Sequence, residues 1–430
     1  MSTVSQVRAP DAVSHWRPGP LDRVLGVLTR VEWSGAIFAS AIALAYVVVP
    51  LAVYLAGLEN EYFLQLAKLG AVGAACVLIG TRLPFFDRLN RSEDQKRVLG
   101  MEPFLAAVWG GFLVFVVLVC VTAERIPFVA ALQGADRETI STLREQFLKA
   151  REGWQASFVY VNAALAGALV PYSLALLLLH RHRFRWLFFG FFLVYCISFV
   201  EKSFFLRAAI PLLYLTVQRR IASLIRPGLV LAGGLALLLL VTVASGIGTS
   251  DSDRGGDEYF SATYIPEGPL GMLGWRAVAI PVITAADALR VFEQEYSSTL
   301  LMGATSSLLA GTFGLERVKF ERDVFAAQWG QNETETGSAN SVFLTEAFVN
   351  FGWVGAVVFS LFVGVLFRIF ARSQDEALRA LWMIFAYALY AAPLIGILFS
   401  NGYALVLLLS MQFRCEPGAA PAPELPATPT

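Results

Sequence analysis

The side chains able to do chemistry in this chain are few, and they fall in three groups along its second half. They are Lys202 with Arg207, then Arg276 with Asp287 and Arg290, then Asn340, Glu346 and Asn350. Guanidinium and ammonium groups hold phosphate oxygens, carboxylates take up or release protons, and amides orient hydroxyls. The densest stretch, ANSVFLTEAFVNFGWVG from Ala339 to Gly355, sets Glu346, Asn340 and Asn350 directly before a long apolar run, Trp353 to Phe367. Polar groups at the mouth of a membrane span keep water for their hydration while facing a lipid-embedded cavity. A membrane enzyme acting on a polar group carried by a lipid needs such a boundary.

Each group also has a plainer reading. Glu201 and Lys202 stand at the tip of a hairpin, VEKSFFLRAAI, where charges snorkel to headgroups. Arg207 lies deeper, where an Arg at a helix centre costs about 2.5–3.5 kcal/mol on insertion scales. Lys202 and Arg207 are five apart, roughly 140° around a helix, so they do not share a face, and Glu201 can pair with either. In WRAVAIP, Trp275 to Pro281, Arg276 falls about four turns from Arg290 on one helix face if the Pro281 kink is mild. An interfacial helix with such an Arg also suits plain headgroup binding. Asp287 and Arg290 have the i,i+3 spacing of a helix-surface ion pair. Glu346 suits a helix N-terminus, where the macrodipole favours carboxylates, and Asn350, Gly352 and Gly355 suit close helix packing. The run ERVKFERD, Glu316 to Asp323, alternates in sign and reads as a solvated helix face.

Other chemistries lack their residues. The three histidines, His15, His180 and His182, fall on the side read below as cytoplasmic. There is no HExxH, paired CxxC, GxSxG, P-loop or dinucleotide fingerprint, so no metal, nucleotide or other cofactor is expected. The four cysteines, Cys76, Cys120, Cys196 and Cys415, sit in expected spans or the tail, which argues against a disulfide framework.

The elements that must position these groups are membrane helices. The chain is 57% hydrophobic and 15% charged, with mean hydropathy +0.61, against about 25% charged in soluble domains. Net charge is +0, which gives no pull toward nucleic acid. With about 20 apolar residues per span, clear spans are Ser34 to Leu55, Phe63 to Gly80, Pro103 to Val121, Ser157 to Leu179, Gly228 to Ala244, Gly352 to Phe370 and Leu381 to Leu398. Shorter runs are Trp186 to Val200, Ser203 to Val217 and Tyr403 to Phe413. The fold class is therefore all-α, a polytopic bundle of about ten transmembrane helices.

Lys and Arg in short loops orient it. Arg8, Arg17, Arg23 and Arg30, then Arg82 to Arg97, Arg181 to Arg185, Arg219 to Arg226, and Arg368 with Arg372 mark one side as cytoplasmic, with both termini. These clusters alternate consistently when Trp186 to Val217 crosses twice, as a tight hairpin. The other side carries a helical loop, 123–155, and a large loop, 246–340, in which Gly271 to Leu289 reads as a re-entrant or interfacial helix. Residues 1–33 precede the first span, 34–245 hold the first set of helices, and 341–414 the last. The Pro/Ala-rich tail, 415–430, is expected to stay disordered. The first apolar run exceeds a signal-peptide core and reads as a retained span.

At this point the three groups resemble a family, the oligosaccharide repeat-unit polymerases of bacteria (the Wzy-type O-antigen and capsule polymerases). The family's Lys-Ser followed by an apolar run to a Tyr is matched by KSFFLRAAIPLLY, Lys202 to Tyr214. Its Arg with a Pro about five residues on is matched by Arg276 and Pro281, and its Asn, acidic residue and NFGxxG by Asn340, Glu346 and Asn350 to Gly355. Glu201 stands where the family commonly has Gly, and Arg207 is additional. The resemblance implies an inner-membrane enzyme with a periplasmic large loop, polymerising undecaprenyl-diphosphate-linked oligosaccharides for O-antigen, capsule or exopolysaccharide. It also implies chain-length-regulator and polysaccharide-export partners. On this reading Arg276, with Arg207 and Lys202, holds the departing lipid diphosphate without a metal. Glu346, or second to it Asp287, takes the acceptor proton; Arg290 joins the binding groups, and Asn340 and Asn350 orient sugar hydroxyls.

Two rivals stand beside it. An O-antigen ligase carries similar chemistry, but ligases usually depend on an outside histidine. A flippase for the lipid-linked sugar needs charges along a path through two related halves, whereas here polar groups gather at one face.

Overall fold

The structure, a computed structural model, describes residues 20–58, 61–87, 93–148, 150–199, 202–219, 260–264, 266, 271–272, 274–330 and 337–416. The expected span Gly228 to Ala244, the residue Glu201, and the tail beyond Glu416 lie outside them.

Among the described residues, five helices are long and apolar enough to cross a membrane: Val31–Leu55 (α1), Glu61–Gly80 (α2), Met101–Thr122 (α3), Gly153–Leu179 (α4) and Phe343–Arg372. Shorter ones are Arg185–Ser198 (α5), Lys202–Arg219 (α6), Ile280–Gln294 (α7) and Phe320–Trp329 (α8). Phe343–Arg372 is α9, followed by Trp382–Tyr390 (α10) and Tyr403–Gln412 (α11). The only sheet among the described residues pairs two short parallel strands, Arg97–Gly100 (β1) and Phe413–Glu416 (β2).

Packing centres on α2, which lies along α9 and α1 and also touches α7. Glycine makes this approach possible. Gly80 of α2 and Gly364 of α9 face each other so closely that a Cβ on either would meet the opposing backbone. Gly70 likewise rests on the Tyr46 carbonyl of α1.

Proline shapes several helices in the same way. The π-turns Leu44–Val48, Leu165–Leu169 and Trp275–Ala279 each end two residues before a proline: Pro50, Pro171 and Pro281. A proline lacks an N–H and crowds the carbonyl four residues back, so the preceding turn widens.

Two helices differ from the spans read in the sequence. Leu381 to Leu398 is not one continuous helix. α10 stops at Tyr390, residues 391–393 are non-helical, and a π-turn, Gly396–Ser400, follows. Pro393 explains the break, since proline disfavours helical backbone in the residue before it. The helix beginning at Gly352 instead starts earlier, at Phe343, and is kinked at Gly352 (φ 63°, ψ −153°). Gly271 to Leu289 contributes α7, which is buried on nearly all sides against α2, α8 and α9.

Several polar contacts tie helices together at one end of the bundle. Arg379 pairs with Glu32 and Glu376, Arg368 with Asp87, and His182 with Glu102. Tyr172 bonds Asp375, Ser373 bonds Ser410, and β1 pairs with β2. Arg368, from the last basic cluster read above, thus meets Asp87 in the loop that follows Arg82. Tyr62 at the start of α2 and Arg151 just ahead of α4 lie at the other.

Candidate functional site

The three predicted groups come together only in part, and the local reasons are readable. Pro281 removes the partner of the Ala277 carbonyl, and the Tyr390 hydroxyl takes its place, at 3.1 Å. The turn carrying Arg276 is thereby fastened to the end of α10. Arg276 itself is exposed, while the neighbouring Trp275 is buried against Tyr264 and Phe260. Tyr390 is held from the other side, its carbonyl accepting from the Tyr46 hydroxyl at 2.6 Å.

Four residues beyond Tyr390, past the break, the Leu394 N–H donates to Glu346 Oε2 at 2.9 Å. Glu346 is 9% exposed, so a carboxylate in the bundle wall caps the half-helix that restarts after Pro393. The segment 390–394 therefore touches the Arg276 turn at one end and Glu346 at the other. Non-helical backbone at membrane depth persists only where protein buries it or where it lines a cavity.

Asp287 and Arg290 form a separate cluster. They make the i,i+3 ion pair that their spacing predicts, Nη2 to Oδ1 at 2.9 Å. The second Asp287 oxygen accepts from Gln328 of α8 at 2.9 Å, and Gln328 also donates to Thr284. These groups line a cavity of about 210 Å³ whose walls include Tyr62, Phe63 and Phe260. Aromatic walls beside a carboxylate, a guanidinium and an amide suit a ring with one C–H face and several hydroxyls. At 1.5 Å rise per residue, Asp287 lies roughly 16 Å along the helix from Arg276. Arg276 and Asp287 thus do not meet at one reacting atom, which separates the two roles assigned to them together.

Asn350 is also reassigned. It is 2% exposed. Its Oδ1 accepts from the Gly303 N–H at 2.9 Å, and its Nδ2 donates to Thr305 Oγ1 and the Glu346 carbonyl, both at 2.8 Å. With both amide hydrogens engaged, none is left for a sugar hydroxyl. The Gly352 kink releases the carbonyls of Val349 and Asn350 from the helix, and the Leu301 and Met302 N–H groups take them, at 3.2 and 3.0 Å. Met302 adopts a left-handed backbone, φ 51°. The NFG of Asn350 to Gly352 is therefore a latch that clamps residues 301–305 to the mouth of α9. Gly355 completes the fit, because a Cβ there would strike the Ala347 carbonyl.

The remaining candidates scatter. Asn340 is exposed, with a 3.5 Å contact to Ser338. Lys202 is the first residue of α6. Arg207 lies within α6, its guanidinium 4.3 Å over the Phe204 ring. The ERVKFERD run is only partly a solvated helix face. The helix starts at Phe320, which is buried with Val324, and Asp323 accepts from the Tyr296 hydroxyl at 2.5 Å. Burial, and then that bond, raise the Tyr296 pKa.

Reasoning from sequence missed Gln328, Tyr62 and Tyr390. Gln328 left a signal, because Phe320, Val324 and Gln328 repeat at i,i+4 and so share the inward face of α8. Among the described residues, no group of three or more His, Cys, Asp and Glu side chains is placed to hold a metal ion.

The architecture defines a helical protein with several helices able to span a membrane. No family model, curated protein or solved structure matches the chain.

Proposed function

We propose that this chain is a membrane glycosyltransferase that polymerises lipid-diphosphate-linked oligosaccharide repeats. The observation that carries the reading is the junction at 390–394, to which the turn carrying the exposed Arg276 is tied through the Ala277 carbonyl and the buried carboxylate of Glu346 through the Leu394 N–H. Arg276 neutralises the departing lipid diphosphate, whose negative charge grows as the bond to the anomeric carbon breaks. A hydroxyl of the acceptor glycan forms the new bond at that carbon, and Glu346 accepts its proton. The Asp287–Arg290–Gln328 cavity, farther along α7, holds sugars of the glycan rather than the reacting centre. The latch at Asn350 and Gly352 keeps Glu346 in register. On this reading the charged end of the bundle faces the cytoplasm of a bacterium and the cavity opens to the periplasm.

The test is the length ladder of the surface polysaccharide in a deletion strain carrying wild type or Arg276→Ala. Single repeats in the deletion strain, a ladder restored by wild type and no ladder with stably expressed Arg276→Ala support polymerisation. A ladder intact in the deletion strain removes polymerisation as the chain's non-redundant role. Loss of all surface repeats, with lipid-linked repeats trapped inside, points instead to a flippase.

A further inference from the structure

A second polar cavity lies between the end of α3, the helix Arg137–Leu148 and the start of α4. Its volume is about 240 Å³, close to the cavity of about 210 Å³ beside Asp287. Glu124, Arg125, Gln146, Arg151, Glu152 and Gln155 line it, and the glycosyl transfer described above uses none of them.

Arg151 builds the frame. Its Nε donates to the Phe147 carbonyl at 2.9 Å and its Nη2 to the Val119 carbonyl at 3.1 Å. One cation thus closes the C-terminal ends of two helices, where the macrodipole favours positive charge. Its Nη1 donates to Thr122 Oγ1 at 2.5 Å and to Gln155 Oε1 at 2.8 Å, and the guanidinium lies 5.3 Å from the Phe158 ring centroid. Three segments are held together as the wall of one cavity.

The polar groups left over define a class of ligand. Gln155 gives its oxygen to Arg151 and keeps its amide hydrogens as donors. Glu124, Arg125, Gln146 and Glu152 are exposed. Among the described residues, no ion pair joins Glu124 or Glu152 to Arg125 or Arg151. The two carboxylates balance the two guanidinium groups, so the cavity selects neither an anion nor a cation. Carboxylates only accept hydrogen bonds, whereas amide and guanidinium hydrogens only donate. An uncharged ligand that uses both kinds of group is a polyol, because each hydroxyl donates and accepts.

The cavity is connected to Glu346 through α4. The first turns of that helix, Phe158–Ala164, pack against the π-turn Gly396–Ser400. That π-turn follows Leu394, whose N–H is held by Glu346. The Asp287 cavity reaches Glu346 by a different route, through α7 packed on α9, where Phe292 meets Phe348 at 6.1 Å.

We propose that this cavity binds a neutral saccharide and is the second of two glycan subsites. Joining two repeats brings two glycans to one carbon, and each cavity serves one of them. The pairing with the Asp287 cavity rests on the polymerase reading, whereas saccharide binding at this cavity does not.

The test uses the full-length protein in neutral detergent, with binding read by native mass spectrometry. The probe is the single oligosaccharide repeat released by mild acid from the host's surface polysaccharide, with inorganic phosphate as the anionic comparison. The variants are Gln146→Ala with Glu152→Ala, and Asp287→Asn. Gln146 and Glu152 are exposed, so their replacement should leave the melting temperature unchanged. Wild type is expected to take up two copies of the repeat. The double variant should weaken one of them at least about tenfold, and Asp287→Asn the other. Equal uptake by the double variant and wild type overturns the proposal. So does wild type that takes up phosphate, or nothing, in place of the repeat. The polysaccharide ladder keeps the two readings apart. Uptake lost in the double variant, with the ladder intact in the deletion strain, retains the subsite and removes the polymerase. A ladder lost on deletion, with uptake untouched in the double variant, does the reverse.

Discussion

Replacing Asn350 by Ala separates holding the site from acting in it. The substitution strips the Gly303 N–H of its acceptor and Thr305 of its donor, in a position 2% exposed. A buried N–H left unpaired costs about 1–3 kcal/mol, and a hydroxyl that can turn elsewhere about 0.5–1.5 kcal/mol. The loss is therefore about 2–4 kcal/mol, spent on releasing residues 301–305 from α9. At 1.4 kcal/mol per tenfold, the loop opens roughly thirtyfold to a thousandfold more often. Limited proteolysis at low protease, with cleavage mapped to 297–306, reads this opening directly when reclosing is fast. Asn340→Ala is the control, since Asn340 is exposed with one long contact, and it should cleave like wild type. Asn350→Ala cleaving no faster than wild type would refute the latch.

Gly352→Ala meets φ 63°, ψ −153°, a backbone essentially confined to glycine. It should cost about 1–3 kcal/mol, seen as a lower melting temperature, and it should loosen the same loop. Gly80→Leu should prevent α2 from seating on α9, since Gly80 touches the facing backbone; the readout is loss of monodisperse protein on gel filtration. Asp287→Asn keeps the Gln328 contact geometry but removes the ion pair. It should weaken glycan binding while leaving lipid-diphosphate affinity unchanged, and an equal loss of both would place Asp287 at the reacting centre. Asp87 is held below the usual carboxylate range, chiefly by its hydrogen bond to Arg368. The pair thus stabilises above pH 4 and loses its effect as pH falls through the depressed value. Because Asp87 is 43% exposed, Asp87→Asn should cost only about 0–1 kcal/mol at neutral pH. Denaturant midpoints of variant and wild type should converge in acid.

Much of the helical frame was legible because an apolar run of about twenty residues has few alternatives. α1 to α4 and the body of α9 follow the runs read from composition. Leu381 to Leu398 misled because hydropathy sums over Pro393 without registering the backbone break beside it. The site was legible by residue type and not by partnership. Asn350 stood out at the mouth of a span, yet two of its three partners, Gly303 and Thr305, are more than forty residues away, and no local pattern points to them. Asp287 and Arg290 were found as a pair because i,i+3 geometry is local. Gln328 came from another helix and was recoverable only from the inward face of α8. The distance between Arg276 and Asp287 was implicit in helix rise all along, and it divides what the residue types had grouped.

The central claim is tested most directly with purified protein and a purified lipid-diphosphate-linked repeat, following free lipid diphosphate and glycan length together. The account predicts one lipid diphosphate released for each repeat added, in step, and loss of both with Glu346→Gln in protein that remains folded. Glycan growth at the wild-type rate in folded Glu346→Gln, or lipid diphosphate release without growth, would contradict it.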